Sequence, residues 1–389
     1  MKPSAQTIAI ASALAASMLL SGCNSSKSTT TTTPPASSPA YVYLQAPQIS
    51  ANLQMALAGN LAAQRRVILG LRKKVQRAML LSKARRALRR AGIALPASTG
   101  SSTPEIDLYL VKAGSSSAEK LDTSAIFFTG AALSPDGTQI AYTALDASQI
   151  SQLYVAPVAN FSQATQLTSG STNNYAYPVF SPDGKTIATT VAAGNLNSPS
   201  LGIALVPAAG GEPTTLDLGD SAGLSGAAVF TPDGAHLIFS ASPTTAAQQP
   251  AYVAIYECNL DGSGVKQLSN PNDNTDYDLL PSVSADGNTV IFTRLTPSTS
   301  GLPVAANIES IPISGETTSA AAKALTTDNL SLGGTFIGST SNSHILYVDI
   351  KVDTSNSTTS FEGAALYEMN PDGSSPQQVV SVSGGGVFP

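Results

Sequence analysis

The chain has 389 residues, two cysteines, two histidines and a formal net charge of −5. So few cysteines exclude a multi-disulfide scaffold, and two histidines leave little from which to build a histidine metal site. The net charge conceals a division: residues 1–100 carry 13 Lys and Arg and no Asp or Glu, whereas residues 101–389 carry 7 against 25.

The chain opens MKPSAQTIAIASALAASMLLSGC, with a cation at Lys2, an apolar run too short to span a bilayer comfortably, and small residues before a cysteine. That pattern predicts a secretory signal over 1–22 rather than a transmembrane helix. Leu20-Ser21-Gly22-Cys23 resembles the bacterial lipobox. The resemblance implies cleavage before Cys23 and fatty acylation (palmitate) of that residue. The protein would then sit on a membrane facing an envelope compartment, since several acyl chains anchor stably where one is marginal. Asn24 after the cysteine, rather than Asp, favours the outer membrane by the same resemblance. Residues 24–39, NSSKSTTTTTPPASSP, carry too little apolar surface to fold alone. With Cys23 they form a tether (23–39) that reaches roughly 50–58 Å when extended.

AYVYLQA (40–46) reads as a strand. Residues 47–100 hold eleven cations between Arg65 and Arg90, and Leu53, Leu57, Leu61, Ile68, Leu71, Val75 and Met79 recur at helical spacing. This predicts a basic amphipathic helix, broken at Gly59 or Gly70. Three roles stay open for it: docking on the acidic remainder of the chain, lying on an anionic membrane surface, or serving as a partner-binding arm. Nucleic acid is not an expected partner outside the cytoplasm.

From residue 101 onward one short passage recurs: ALSPDGTQIAYTA (132–144), VFSPDGKTIATTV (179–191), VFTPDGAHLIFSA (229–241) and SVSADGNTVIFTR (282–294). Proline presets φ at the first turn position, the aspartate bonds its own backbone, and glycine accepts the left-handed residue that returns the chain to the ladder. Each copy therefore predicts a hairpin, at Asp136-Gly137, Asp183-Gly184, Asp233-Gly234 and Asp286-Gly287. The separations of 47, 50 and 53 residues mark a repeat architecture. A second hairpin interleaves, as in QLYVAPVANFSQATQLTSG (152–170) and AIYECNLDGSGVKQLSN (254–270). Two hairpins per period make a four-stranded blade, and radial repetition of blades leaves few long edges exposed.

The SPDG hairpin followed by LY and QLT elements resembles the WD40-like propeller repeat (PD40) of TolB-type proteins and of the propeller domains of prolyl-oligopeptidase-type enzymes. It covers most of 101–389. The resemblance implies an all-β propeller of four-stranded blades, and the repeat count gives six, with five and seven as alternatives. A degenerate hairpin at Ser341-Asn342 supplies one blade. The closing blade is split, its inner strand at Val387-Phe388 and the others at 40–46, 106–112 and 118–123. No two-layer α/β domain like that of TolB is legible, since 41–100 is basic and helical.

Gly219-Asp220-Ser221-Ala222-Gly223 fits G-x-S-x-G, yet it lies between blades rather than on the strand-turn-helix that gives the motif its mechanics. No residues remain for a hydrolase domain. His236 and His344 are expected to face solvent beside hairpins, and Cys258 to be a small buried hydrophobe. Asp273, Asp276 and Asp278 in NPNDNTDYD (270–278) form an acidic connection with oxygens for a ligand or Ca²⁺, though without EF-hand spacing. The expectation is a monomeric, lipid-anchored envelope propeller that binds or scaffolds a protein partner. It needs no cofactor or metal and is not an enzyme. The rivals are an enzyme or a small-molecule sensor working at the tunnel mouth, with Ser221, Asp276 and Asp278 as nominations.

Overall fold

The computed structural model describes residues 30–31, 41–46, 107–111, 118–121, 130–146, 150–170, 172–193, 200–219, 223–242, 252–271, 276–297, 303–313, 322–327, 331–337, 343–353, 360–383 and 386–388. In chain order, β1 (Thr30–Thr31), β2 (Tyr41–Ala46), β3 (Asp107–Val111) and β4 (Ala118–Leu121) come first. The first sheet holds β5 (Ala131–Leu133), β6 (Gln139–Leu145), β7 (Ser151–Pro157) and β8 (Thr165–Gln166). The second holds β9 (Asn173–Phe180), β10 (Thr186–Ala193), β11 (Ser200–Pro207) and β12 (Thr214–Thr215). The third holds β13 (Gly223–Phe230), β14 (His236–Ser242), β15 (Ala254–Asn259) and β16 (Lys266–Gln267). The fourth holds β17 (Tyr277–Val283), β18 (Thr289–Pro297), β19 (Pro303–Pro312) and β20 (Lys323–Ala324). The fifth holds β21 (Ser331–Ile337), β22 (His344–Asp353), β23 (Ser360–Met369) and β24 (Gln377–Ser383), and β25 (Gly386–Phe388) follows.

The split sheet runs β25-β2-β3-β4, so segments far apart in sequence share one ladder, with Gln45 opposite Val387 on one side and Asp107 on the other. Each sheet packs on the next: β5 on β9, β9 on β13, β13 on β17, β17 on β21. The split sheet touches β23 through β25 and β5 through β2. One correction to the expected six four-stranded blades follows. Five sheets have four strands, but the fifth sheet has five, because β1 adds to its outer strand. Thr30 and Thr31 therefore belong to a sheet and not to a free tether.

Each hairpin turn is built as its composition dictates. In the second sheet Ser181 Oγ donates to Asp183 Oδ1 at 2.6 Å, the Lys185 amide donates to the same oxygen at 3.0 Å, and Ser181 Oγ accepts from the Thr186 amide at 2.9 Å. Asp136, Asp233 and Asp286 repeat the pattern with Ser134, Thr231 and Ser284. Gly184 closes the turn with φ +72°. A Cβ on Gly184, Gly234 or Gly287 would lie 3.6–3.9 Å from the proline ring of the preceding turn, Pro135, Pro182 or Pro232. The four turns thus form an arc along one face of the ring.

Between sheets lie apolar seams. Phe239, Leu237 and Cys258 of the third sheet pack with Ile203 and Ala188 of the second, and Ile238 and Ile255 of the third pack with Val290 and Phe292 of the fourth. The inner strands bulge at one equivalent place, seen as register shifts in β9, β13, β17 and β21. Tyr177 and Leu280, each before a proline, take positive φ there. A bulge swaps which side chains face inward.

Candidate functional site

Because the repeat is regular, its exceptions stand out. In three sheets the second strand stacks an aromatic ring on a tyrosine of the third: Tyr142 on Tyr154 at 5.5 Å, Phe239 on Tyr256 at 5.9 Å, and Tyr347 on Tyr367 at 5.6 Å between centroids. Each of these tyrosines donates its hydroxyl to a glutamine of the outer strand, Gln166, Gln267 or Gln378. A cross-strand aromatic pair contributes about 0.5–1.5 kcal/mol beyond its buried area.

The fourth sheet departs from this rule at three positions. Glu309 lies opposite Phe292, where those three sheets place the tyrosine and the second sheet has Ala204. Arg294 lies opposite Asp278, where the second sheet has Val191 opposite Tyr175. Arg294 donates from Nε to Asp278 Oδ1 at 2.7 Å and from Nη2 to Oδ2 at 2.8 Å, a two-point fit of guanidinium to carboxylate. Ser269 Oγ, at the end of the third sheet, donates to Asp278 Oδ2 at 2.6 Å while accepting from the Ile255 amide. The remaining arm of Arg294, Nη1, lies 2.9 Å from Glu309 Oε2, and its guanidinium stands 5.3 Å over the Phe292 ring. Asp278 is fully buried and Asp276 nearly so.

The backbone is pinned at the same point. Val253 of the third sheet donates to the Asp276 carbonyl at 3.2 Å and accepts from the Asp278 amide at 2.9 Å. The cluster therefore rivets the third sheet to the fourth at Asp276–Asp278. It sits at the end of β17 away from the Asp286 turn, on the opposite face of the ring from the arc of turns.

Burial raises the Asp278 carboxyl above the usual carboxylate range, against the opposing hydrogen bonds and charge of Arg294. Burial likewise raises Glu309, with Arg294 again opposing. For Arg294 burial acts downward, but Asp278 and then Glu309 and Asp276 outweigh it and leave the guanidinium raised. Three donors, two from Arg294 and one from Ser269, are aimed at the two oxygens of Asp278.

This corrects the expectation of an exposed acidic connection: Asp276 and Asp278 lie inside, because the chain is already held as β17 by Tyr277 and the third sheet reaches across to it. Asp273 lies outside the described residues, as do Asp220, Ser221, Cys23, the helix expected over 47–100 and the hairpin at Ser341-Asn342. Among the described residues no group of three or more His, Cys, Asp or Glu could hold a metal ion. His344, expected to face solvent, is only 19% exposed in its side chain and lies 3.7 Å from Glu368. Burial pushes the Cys258 thiol up to about 11, leaving it an inert core group. Arg294, Glu309 and Ser269 were not nominated from sequence. The available signal was a charged residue where sister copies are apolar or aromatic: IFTR against IATTV, and NIES against QLYV.

A closed arrangement of antiparallel sheets, four of them begun by the same Asp-Gly hairpin, defines a β-propeller. The TolB beta propeller domain (PD40) matches residues 130–384, and the chain belongs to that family. Among solved structures it is similar to TolB from Acinetobacter baumannii, with a TM-score of 0.53 and 20% identity, covering 73% of this chain and 61% of that one. The chain thus spans less than two thirds of that TolB. It is also similar to an oligogalacturonate lyase from Vibrio parahaemolyticus (TM-score 0.41, 16% identity, 64% of each chain). A third is a puromycin-hydrolyzing peptidase from Mycobacterium tuberculosis (TM-score 0.44, 15% identity, 71% of this chain and 42% of that one). At these identities the likeness concerns the fold. No curated protein matches the sequence.

Proposed function

We propose that this propeller is a lipid-anchored module of the bacterial cell envelope that binds or scaffolds a protein partner, held at the outer membrane through Cys23 as a monomer. The observation that carries the reading is the state of the buried charge. Asp278 is engaged by Arg294 and Ser269, and Arg294 by Asp278 and Glu309, which supports a role for these groups in tying the third sheet to the fourth. Membership of the TolB propeller family supports it, as does the lipobox-like Leu20-Ser21-Gly22-Cys23. The basic segment at 47–100 enters the chain between β2 and β3 of the split sheet and offers a positive arm to an acidic partner or to the acidic propeller.

Affinity capture from detergent-solubilised envelope tests this, comparing the full chain with one lacking 47–95 at low and high salt. Recovery of a specific protein with the full chain supports the reading, and its loss at high salt or without 47–95 assigns the docking to the basic segment. A hydrolytic activity abolished by Ser221→Ala would overturn the reading in favour of an enzyme.

A further inference from the structure

The outer strands of the propeller are not alike. β8, β12, β16 and β20 have two residues each and β4 has four, whereas β24 has seven. A short outer strand offers almost no unpaired backbone. A long one is a template along which an extended chain can pair. It is this edge that receives an extra strand: Thr30 pairs antiparallel with Ser381 and Thr31 with Val380.

We propose that the outer edge of β24 is a strand-docking site whose resident occupant is the chain's own polythreonine stretch, folded back as a strap over the one long edge. The occupant fits. Thr30 and Thr31 lie within Thr29–Thr33, five successive β-branched residues suited to extended backbone, followed by Pro34-Pro35, which cannot continue a ladder. The nine residues from 32 to 40, which join β1 to β2, reach about 30 Å when extended. A strand normally fixes its register by which side chains face the core. Here a slip of one or two residues replaces threonine by threonine, so the strap holds the edge without a unique register. Docking leaves only residues 24–29 of the segment 24–39 ahead of the strap, and a partner entering by strand addition must first displace the strap. The inference stands whether or not Cys23 carries lipid.

Hydrogen exchange on the full chain tests it, comparing Thr30→Pro/Thr31→Pro with the unaltered protein at residues 379–382. Proline removes both strap amides. The expected result is exchange at least about threefold faster at 379–382 in the variant, with β8 and β16 unchanged, and slow exchange restored by adding a synthetic Ser28–Thr33 peptide. Equal exchange in the two proteins overturns the proposal, and so does acceleration spread evenly over all outer strands. Protection that grows with protein concentration would also overturn it, assigning the edge to a second copy.

Discussion

At Arg294 on β18 one guanidinium holds two carboxylates from the strands on either side, β17 and β19, and the second sheet shows what the same positions look like without charge. There the trio is Tyr175, Val191 and Ala204, packed as a small apolar cluster. Arg294→Ala would leave Asp278 buried without its partner and is expected to cost about 3–5 kcal/mol. The triple variant Asp278→Tyr/Arg294→Val/Glu309→Ala reproduces the second sheet's trio and is expected to stay within about 2 kcal/mol of the parent, or exceed it. Urea unfolding of both variants checks this: a triple variant as unstable as Arg294→Ala would show that an apolar trio cannot replace the charged cluster in this sheet. Glycine gives a second residue-scale contrast. Gly262 has φ +87° and a Cβ there would collide with the Asp217 carbonyl oxygen, whereas Gly137 has φ +70° and open space around it. Gly262→Ala should therefore cost roughly 2–4 kcal/mol and Gly137→Ala about 1–2, since only the first adds a clash to the backbone penalty. Thermal unfolding of the pair separates the two contributions.

At the scale of the element, the hairpin turns couple the fold to acid. Hydrogen bonds from Ser134, Ser181, Thr231 and Ser284 and from the backbone hold Asp136, Asp183, Asp233 and Asp286 below the ordinary value of 3.8. A carboxyl whose folded pKa is depressed stabilises the fold above its unfolded pKa, and that contribution is lost as pH falls through the folded value. The chain should thus lose stability as pH drops below about 3.8, and Asp→Asn at all four turns should flatten that limb while lowering the plateau at neutral pH. Chemical denaturation at stepped pH reads both. These turns were legible in the sequence because Ser-Pro-Asp-Gly is a local instruction: each of its hydrogen bonds closes within five residues. The buried cluster was not, because Ser269, Asp278, Arg294 and Glu309 come from four segments, and only their register shows that they meet. Read as a string, NPNDNTDYD is an acidic loop. The cross-sheet bonds from Val253 turn its last residues into buried strand.

At the scale of the whole molecule, closure depends on the split sheet. Apart from β1 on the fifth sheet, every other sheet is made from one continuous stretch, but β2 must pair with β25 from the far end of the chain and with β3 across the basic segment. The sequence showed this through the resemblance of AYVYLQA to the other strands, a match of pattern alone. The extra strand β1 left no such trace, because a threonine run carries no alternation to align. A ring distributes strain over its seams, so a fault in the closing sheet should act on all of them, whereas a fault on an outer edge stays local. Gln45 lies centrally in that sheet, opposite both Val387 and Asp107, so Gln45→Pro removes an N–H where a ladder needs one. It is expected to lower the urea midpoint by the equivalent of about 3 kcal/mol and to broaden the transition as neighbouring sheets unfold separately. Thr214→Pro, on the two-residue outer strand β12, should lower the midpoint by less than about 1 kcal/mol and leave the transition sharp. If the two variants unfold alike, the split sheet does not close the ring, and the structure's stability resides in the individual seams.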